Sequence, residues 1–185
     1  AEHAARLTPA VHMDDRARRV RETARFLLAV GDGPRSRELL EELAGFRRFE
    51  GGCVLCATVE AERDAGHRMV LDAGEAVVVA PWWSGSPFEL LAVPTGHEGH
   101  LHRAAPTSLV AVGRAVRDVR ARLRSLLGDI SYHVVVHTLP HRSDDPFHWH
   151  AHITPRVHST GGFEQGTGVP INIVAPEDAA AVLTG

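Results

Sequence analysis

The chain has 185 residues, of which 44% are hydrophobic and 23% charged, enough apolar material for one real core and too little length for two independent enzymatic domains. Its net charge of -3 excludes a broad basic surface for nucleic acid, so any phosphate recognition has to be local. All of its cations other than histidine are arginines, which favours planar, bidentate contacts, although coding composition explains the lack of lysine equally well.

In chain order, residues 1–50 read as an N-terminal helical arm. Val20, Ala24, Leu27 and Leu28 recur at helical spacing through an Arg-rich segment, and Gly31-Asp32-Gly33-Pro34 ends it. Ser36 is placed to cap a second helix over 37–46, with Arg47 and Arg48 near its negative end. A packing or dimerisation role for this arm competes with a plain solvated basic face. Met13 is a candidate start. No leader-like charged and apolar segment and no membrane-length apolar run appears, so a cytoplasmic protein without a membrane partner is expected.

The main domain is read over 51–185, beginning at Gly51-Gly52. A short helix carrying Cys53 and Cys56 runs to Ala65, and strands are predicted over 68–71, 76–80 and 88–93. A helix of about five turns follows over 107–127, with Val110, Val112, Val116, Val119 and Leu123 as its apolar candidates. Strands over 132–139 and 147–155 close the pattern. Short strands, one long helix, then two more strands predict an α+β fold with a mainly antiparallel sheet.

The last strand carries the chemistry. In an extended segment alternate side chains share a face, so His148, His150 and His152 project one way and Phe147, Trp149, Ala151 and Ile153 the other. Three imidazoles spaced about 7 Å apart fill a core poorly and suit a reactive or metal-binding face. Two chemistries remain open. Neutral imidazoles ligate transition metals, and an imidazole attacking phosphorus forms a covalent intermediate that divides one transfer into two easier steps. His133 and His137 on the preceding strand bring further rings, with His137 the cross-strand neighbour expected for His150 or His152. Asp144 and Asp145 in the intervening loop fit a turn better than a ring-orienting role. The cysteine pair, in a reducing compartment, fits half of a metal site better than a disulfide. Trp82 and Trp83 suit either a base-binding wall or aromatic core packing.

The run His148-Trp149-His150-Ala151-His152 with Pro155, followed by Gly162-Phe163-Glu164-Gln165-Gly166-Thr167-Gly168, Ile171-Asn172 and Ala175-Pro176-Glu177-Asp178, resembles the C-terminal half of galactose-1-phosphate uridylyltransferases, of the histidine-triad superfamily. The resemblance spans about 53–182. It implies a histidine-triad-like antiparallel sheet with one long packing helix, able to pair with a second copy as a homodimer. It implies a nucleotidyl transferase or hydrolase acting on a nucleotide or sugar-nucleotide phosphate through a covalent histidine. His150 would be the nucleophile flanked by His148 and His152, and His152 stands where the catalytic half of the uridylyltransferases carries Gln, as in hydrolase-type triads. Likeness to the C-terminal half implies instead that His137, His150 and His152 ligate a second metal, iron or zinc, in a protein whose role is structural, binding or of another metal-dependent kind. A further alternative is a fragment of a longer transferase. The resemblance also implies a structural zinc on Cys53, Cys56, His97 and His148, with His100 and His102 as rivals for His97. Arg156 would stabilise phosphoryl oxygens. Phe163 and Glu164 fall where the family holds the hexose, Glu164 also fitting a plain capping role, and Pro170 replaces a sugar-contacting Gln.

Overall fold

The structure is a computed structural model that describes residues 53–142, 147–157, 159 and 161–185. The predicted helical arm and the Asp144-Asp145 turn lie outside the described residues. Two compact units are distinguished: the described part of one is 161–171, and the other comprises 53–159 with 172–185.

The larger unit begins with helix α1 (Val54–Ala65), whose N-cap is Cys53 and which Gly66 ends in a left-handed conformation at φ 70°. Strands β1 (Met69–Asp72), β2 (Ala76–Val79) and β3 (Leu90–Pro94) form an antiparallel meander. Helix α2 (Pro106–Leu127) follows, with Pro in its first turn where a missing N–H costs nothing. Strands β4 (Tyr132–His137) and β5 (His150–Pro155) complete a five-stranded sheet in the order β1-β2-β3-β5-β4, with every neighbour antiparallel. The predicted α+β class is the one observed.

Alternation along β5 partitions the sheet's two faces. Ala151, Ile153 and Pro155 are buried while His150, His152 and Thr154 are half-buried. Ala151 and Ile153 join Val78, Leu90 and Ala92 against Val112, Ala115, Val119 and Leu123 of α2. These four helix residues form one stripe at three- and four-residue spacing, as an amphipathic helix requires. Val110, expected on that stripe, is instead 51% exposed, because at about 100° per residue it lies on the far side of the helix from Val112. Val77, Val79, Leu91 and Val93 face the other way and pack with Val59 and Leu55 of α1. The histidine face of β5 is therefore the α1 face.

After β5, residues 161–171 carry the short helix α3 (Gly162–Thr167), and the larger unit resumes with helix α4 (Pro176–Thr184). Arg122 of α2 donates to the carbonyls of Val70 and Leu183 at 2.9 and 3.0 Å, binding β1 and α4 to the same helix. Strand β4 is the edge, exposed along its length.

Ile153 is fully buried at the centre of the α2 face. Ile153→Ala is expected to cost about 2–5 kcal/mol through lost transfer energy and a residual cavity. Denaturant unfolding followed by circular dichroism measures it.

Candidate metal and phosphate-chemistry site

The three alternating histidines divide between two clusters. His148 lies two residues ahead of β5 and is buried, with Nδ1 at 3.5 Å from Cys56 Sγ and 3.9 Å from Cys53 Sγ. His97, three residues past the end of β3, brings Nδ1 to 3.4 Å from Cys56 Sγ. The C-x-x-C spacing sets one cysteine at the N-cap and the other a turn on, so both thiols face the same side of the α1 terminus. Four donor atoms, one from each residue, lie within 4.8 Å of one another.

A tetrahedral ion about 2.3 Å from sulfur and 2.0–2.1 Å from nitrogen would place S and N about 3.6 Å apart. The measured separations bracket that value, and two thiols with two imidazoles are a donor set that zinc favours. Burial, then the neighbouring His97, holds His148 down at about 4, so its ring is neutral and offers a lone pair. Burial and the adjacent Cys53 push the Cys56 thiol up to about 11. A bound dication would reverse that, since it ligates the thiolate.

The loop carrying His97 is latched to the segment between β4 and β5, which carries His148. Trp149 N–H donates to Glu98 O and Leu139 N–H to Gly99 O, both at 2.9 Å. A Cβ at Gly99 would meet Leu139 Cδ2 at 3.3 Å, so the close approach wants glycine there. His100 and His102 pair with each other at 5.0 Å between ring centres and stand outside the cysteine cluster. His100 is buried.

The second cluster gathers His137, His150 and His152, with one nitrogen from each within 4.8 Å of the others. The register places His137 directly opposite His150, and the two rings stack at 5.0 Å with 9° between planes. His152 is 4.8 Å from His137 and 5.2 Å from His150 between ring centres. His150 Nδ1 lies 2.8 Å from the carbonyl oxygen of His148, a contact that only an Nδ1–H donor makes favourable. Its Nε2 is left with the lone pair. Burial, partly offset by that carbonyl, brings His150 to about 4, so the ring is neutral at pH 7. Burial and then His152 also lower His137. Phe147 stacks on His150 at 5.7 Å.

Other predicted residues are placed elsewhere. His133 pairs with Thr154, about 13 Å along β4 from His137. Arg156 lies past the opposite end of β5, its N–H on Ser131 O, about 20 Å from His150 at ~3.3 Å per residue. A guanidinium there does not reach a phosphorus held at His150 of the same chain. Trp82 and Trp83 meet edge to face at 5.6 Å, and Trp83 packs on the α1-face core. Phe163 and Glu164 belong to the smaller unit; Phe163 is 59% exposed, and the Glu164 carboxylate accepts from Gly161 N–H at 2.7 Å and Ile171 N–H at 3.1 Å. Glu89 was not singled out from the sequence, yet its carboxylate stands 3.2 Å from His152 Nδ1. The signal was an acidic residue heading the apolar run Leu90-Leu91-Ala92-Val93.

An antiparallel sheet backed by one long helix, with histidines alternating on its penultimate strand in space, is an arrangement shared with histidine-triad proteins, and the likenesses in sequence and structure support a histidine-triad superfamily of the galactose-1-phosphate uridylyltransferase-like kind. A zinc-bound histidine-triad family protein from Mycobacterium smegmatis shares the fold at TM-score 0.54 and 17% identity, covering 72% of this chain and 91% of that one. It is 34% identical to ADP-glucose phosphorylase from Arabidopsis thaliana over 137 residues, 72% of this chain and 38% of the relative. The crystal structure of that plant protein with bound ADP-glucose superposes with TM-score 0.63 at 32% identity, covering 76% of this chain and 45% of that one. Galactose-1-phosphate uridylyltransferase from Hypocrea jecorina is 29% identical over 87 residues, 47% of this chain and 23% of the relative. The chain thus spans less than half the length of these curated relatives. No family model matches it.

Zinc titrated into metal-free protein is expected to bind at the four-donor set with release of protons, because the Cys56 thiol is protonated at pH 7. Affinity should therefore fall as pH falls, and Cys53→Ala should abolish this binding and lower the thermal midpoint; calorimetry in buffers of different ionisation enthalpy reads both.

Proposed function

We propose that the chain supplies the catalytic strand of a nucleotidyl-transfer enzyme acting on a sugar nucleotide, with His150 as the covalent nucleophile and a structural zinc on Cys53, Cys56, His97 and His148. The observation that carries the reading is the 2.8 Å contact from His150 Nδ1 to the His148 carbonyl. It leaves Nε2 of a neutral ring as a lone pair on a ring that converges with two other imidazoles. The plant relative's name supports a sugar-nucleotide substrate.

In this reading Nε2 attacks the α-phosphorus of a nucleoside diphosphosugar. The N–P bond forms as the bridging P–O bond breaks, and the sugar phosphate leaves with the electron pair. Phosphate or water then attacks the phosphohistidine, giving transfer or hydrolysis respectively and returning the neutral ring. The Cys and His side chains of the first cluster would hold the ion; their contribution is to fix His148, and with it the carbonyl that orients His150. Incubation with ADP-glucose labelled at the α-phosphorus is expected to label the protein, with at least about a hundredfold less label in His150→Ala of unchanged circular dichroism. Equal labelling of the two proteins would exclude His150 as nucleophile.

A second reading is favoured by the convergence of His137, His150 and His152 within 4.8 Å, which also suits iron or zinc. It makes the chain a metal-binding module with a structural or other metal-dependent role. Elemental analysis separates the two. One equivalent of metal per chain, lost in Cys53→Ala, supports the covalent reading, and a second equivalent lost in His137→Ala supports ligation.

A further inference from the structure

Glu89 is 8% exposed at the head of β3, in the segment Ser86-Pro87-Phe88-Glu89. Burying a carboxylate costs several kcal/mol unless its oxygens find donors. They do so in a divided way. Oε2 accepts from Gly85 N–H at 2.8 Å and stands 3.5 Å from Ser86 Oγ, while Oε1 faces His152 Nδ1 at 3.2 Å. One oxygen holds the carboxylate to its own loop, and the other is directed at the histidine cluster.

The backbone aims the residue there. β3 pairs with β5 so that Leu91 opposes His152, and Glu89, two residues earlier, shares the face of Leu91 and is the diagonal neighbour of His152. Phe88 is held at φ 57°, a left-handed conformation unfavourable for a bulky residue. Its ring packs against the α2-face core. The turn therefore anchors Phe88 on one face while delivering Glu89 to the other, at a conformational cost of the sort retained where geometry is functional.

We infer that Glu89 is a positioning residue for the histidine cluster: its carboxylate holds His152 as the Nδ1–H tautomer and so leaves Nε2 as the ring's lone pair in the cluster it forms with His137 and His150. The opposite tautomer would set a ring lone pair against a buried carboxylate, which is repulsive. His150 is oriented in the same sense by a backbone carbonyl. A carboxylate and a peptide oxygen thus act as matched acceptors behind two rings, and both Nε2 atoms are left for the phosphoryl group. The inference deepens the nucleotidyl-transfer reading and rests on it for its kinetic consequence alone.

The test uses the full, zinc-loaded chain labelled with nitrogen-15, with long-range proton–nitrogen correlations reporting the protonated nitrogen of His152. Wild type is expected to show Nδ1–H. Glu89→Leu should lose that preference and form the nucleotide adduct about 10–100-fold more slowly. Glu89→Gln, whose amide oxygen still accepts, should restore both the tautomer and a rate within a few-fold of wild type. An unchanged His152 spectrum in Glu89→Leu overturns the inference, as does equal slowing in the two variants. If Glu89→Leu does not fold, an Nε2–H form of His152 in wild type or in Glu89→Gln overturns it. A wild type that forms no adduct removes the nucleotidyl-transfer reading, while the tautomer comparison still decides the role of Glu89.

Discussion

His148 is used twice, and the site depends on it. Its imidazole completes the Cys53, Cys56 and His97 set, while its carbonyl oxygen receives the Nδ1–H of His150 two residues on. Side chain and backbone of one residue therefore couple a cross-link between loop, helix and strand to the tautomer of the ring proposed to do chemistry. Any movement that released His148 from the thiols would also free the acceptor behind His150. The latch through Glu98 and Gly99 reinforces the same point from the neighbouring loop.

The sheet supplies the second constraint. Alternation in β5 buries Ala151 and Ile153 against α2 and thereby obliges His150 and His152 to face α1. A one-residue slip would exchange the faces, placing imidazoles in an aliphatic core and aliphatic groups on the α1 face. Burial against α2 is thus what specifies the direction of the histidines. Glu89, delivered to that face by the left-handed turn at Phe88, adds a carboxylate where a strand of Leu, Ala and Val otherwise offers nothing polar.

Strand order and metal set meet at one edge of the molecule's larger unit. β4 lies outside β5, so His137 reaches the cluster from an exposed edge strand while His150 and His152 come from a covered one. A cluster assembled from an edge and an interior strand is open on one side. That openness suits a phosphoryl group entering from solvent and also leaves room for a cation, which is why both readings share the same three rings.

Much of this was determined by local pattern. Period-two alternation located the histidine strand and 3.6-residue periodicity located α2, while the four donors found within 4.8 Å of one another were named through the family resemblance. The periodic features depend on neighbours along the chain, and so they are legible without coordinates. The tertiary structure alone decided that Glu89 stands behind His152 and that Trp149 and Leu139 latch the loop carrying His97. Each of these is a contact between segments far apart in sequence, set by register and by which face is buried, and no periodicity within one segment encodes it.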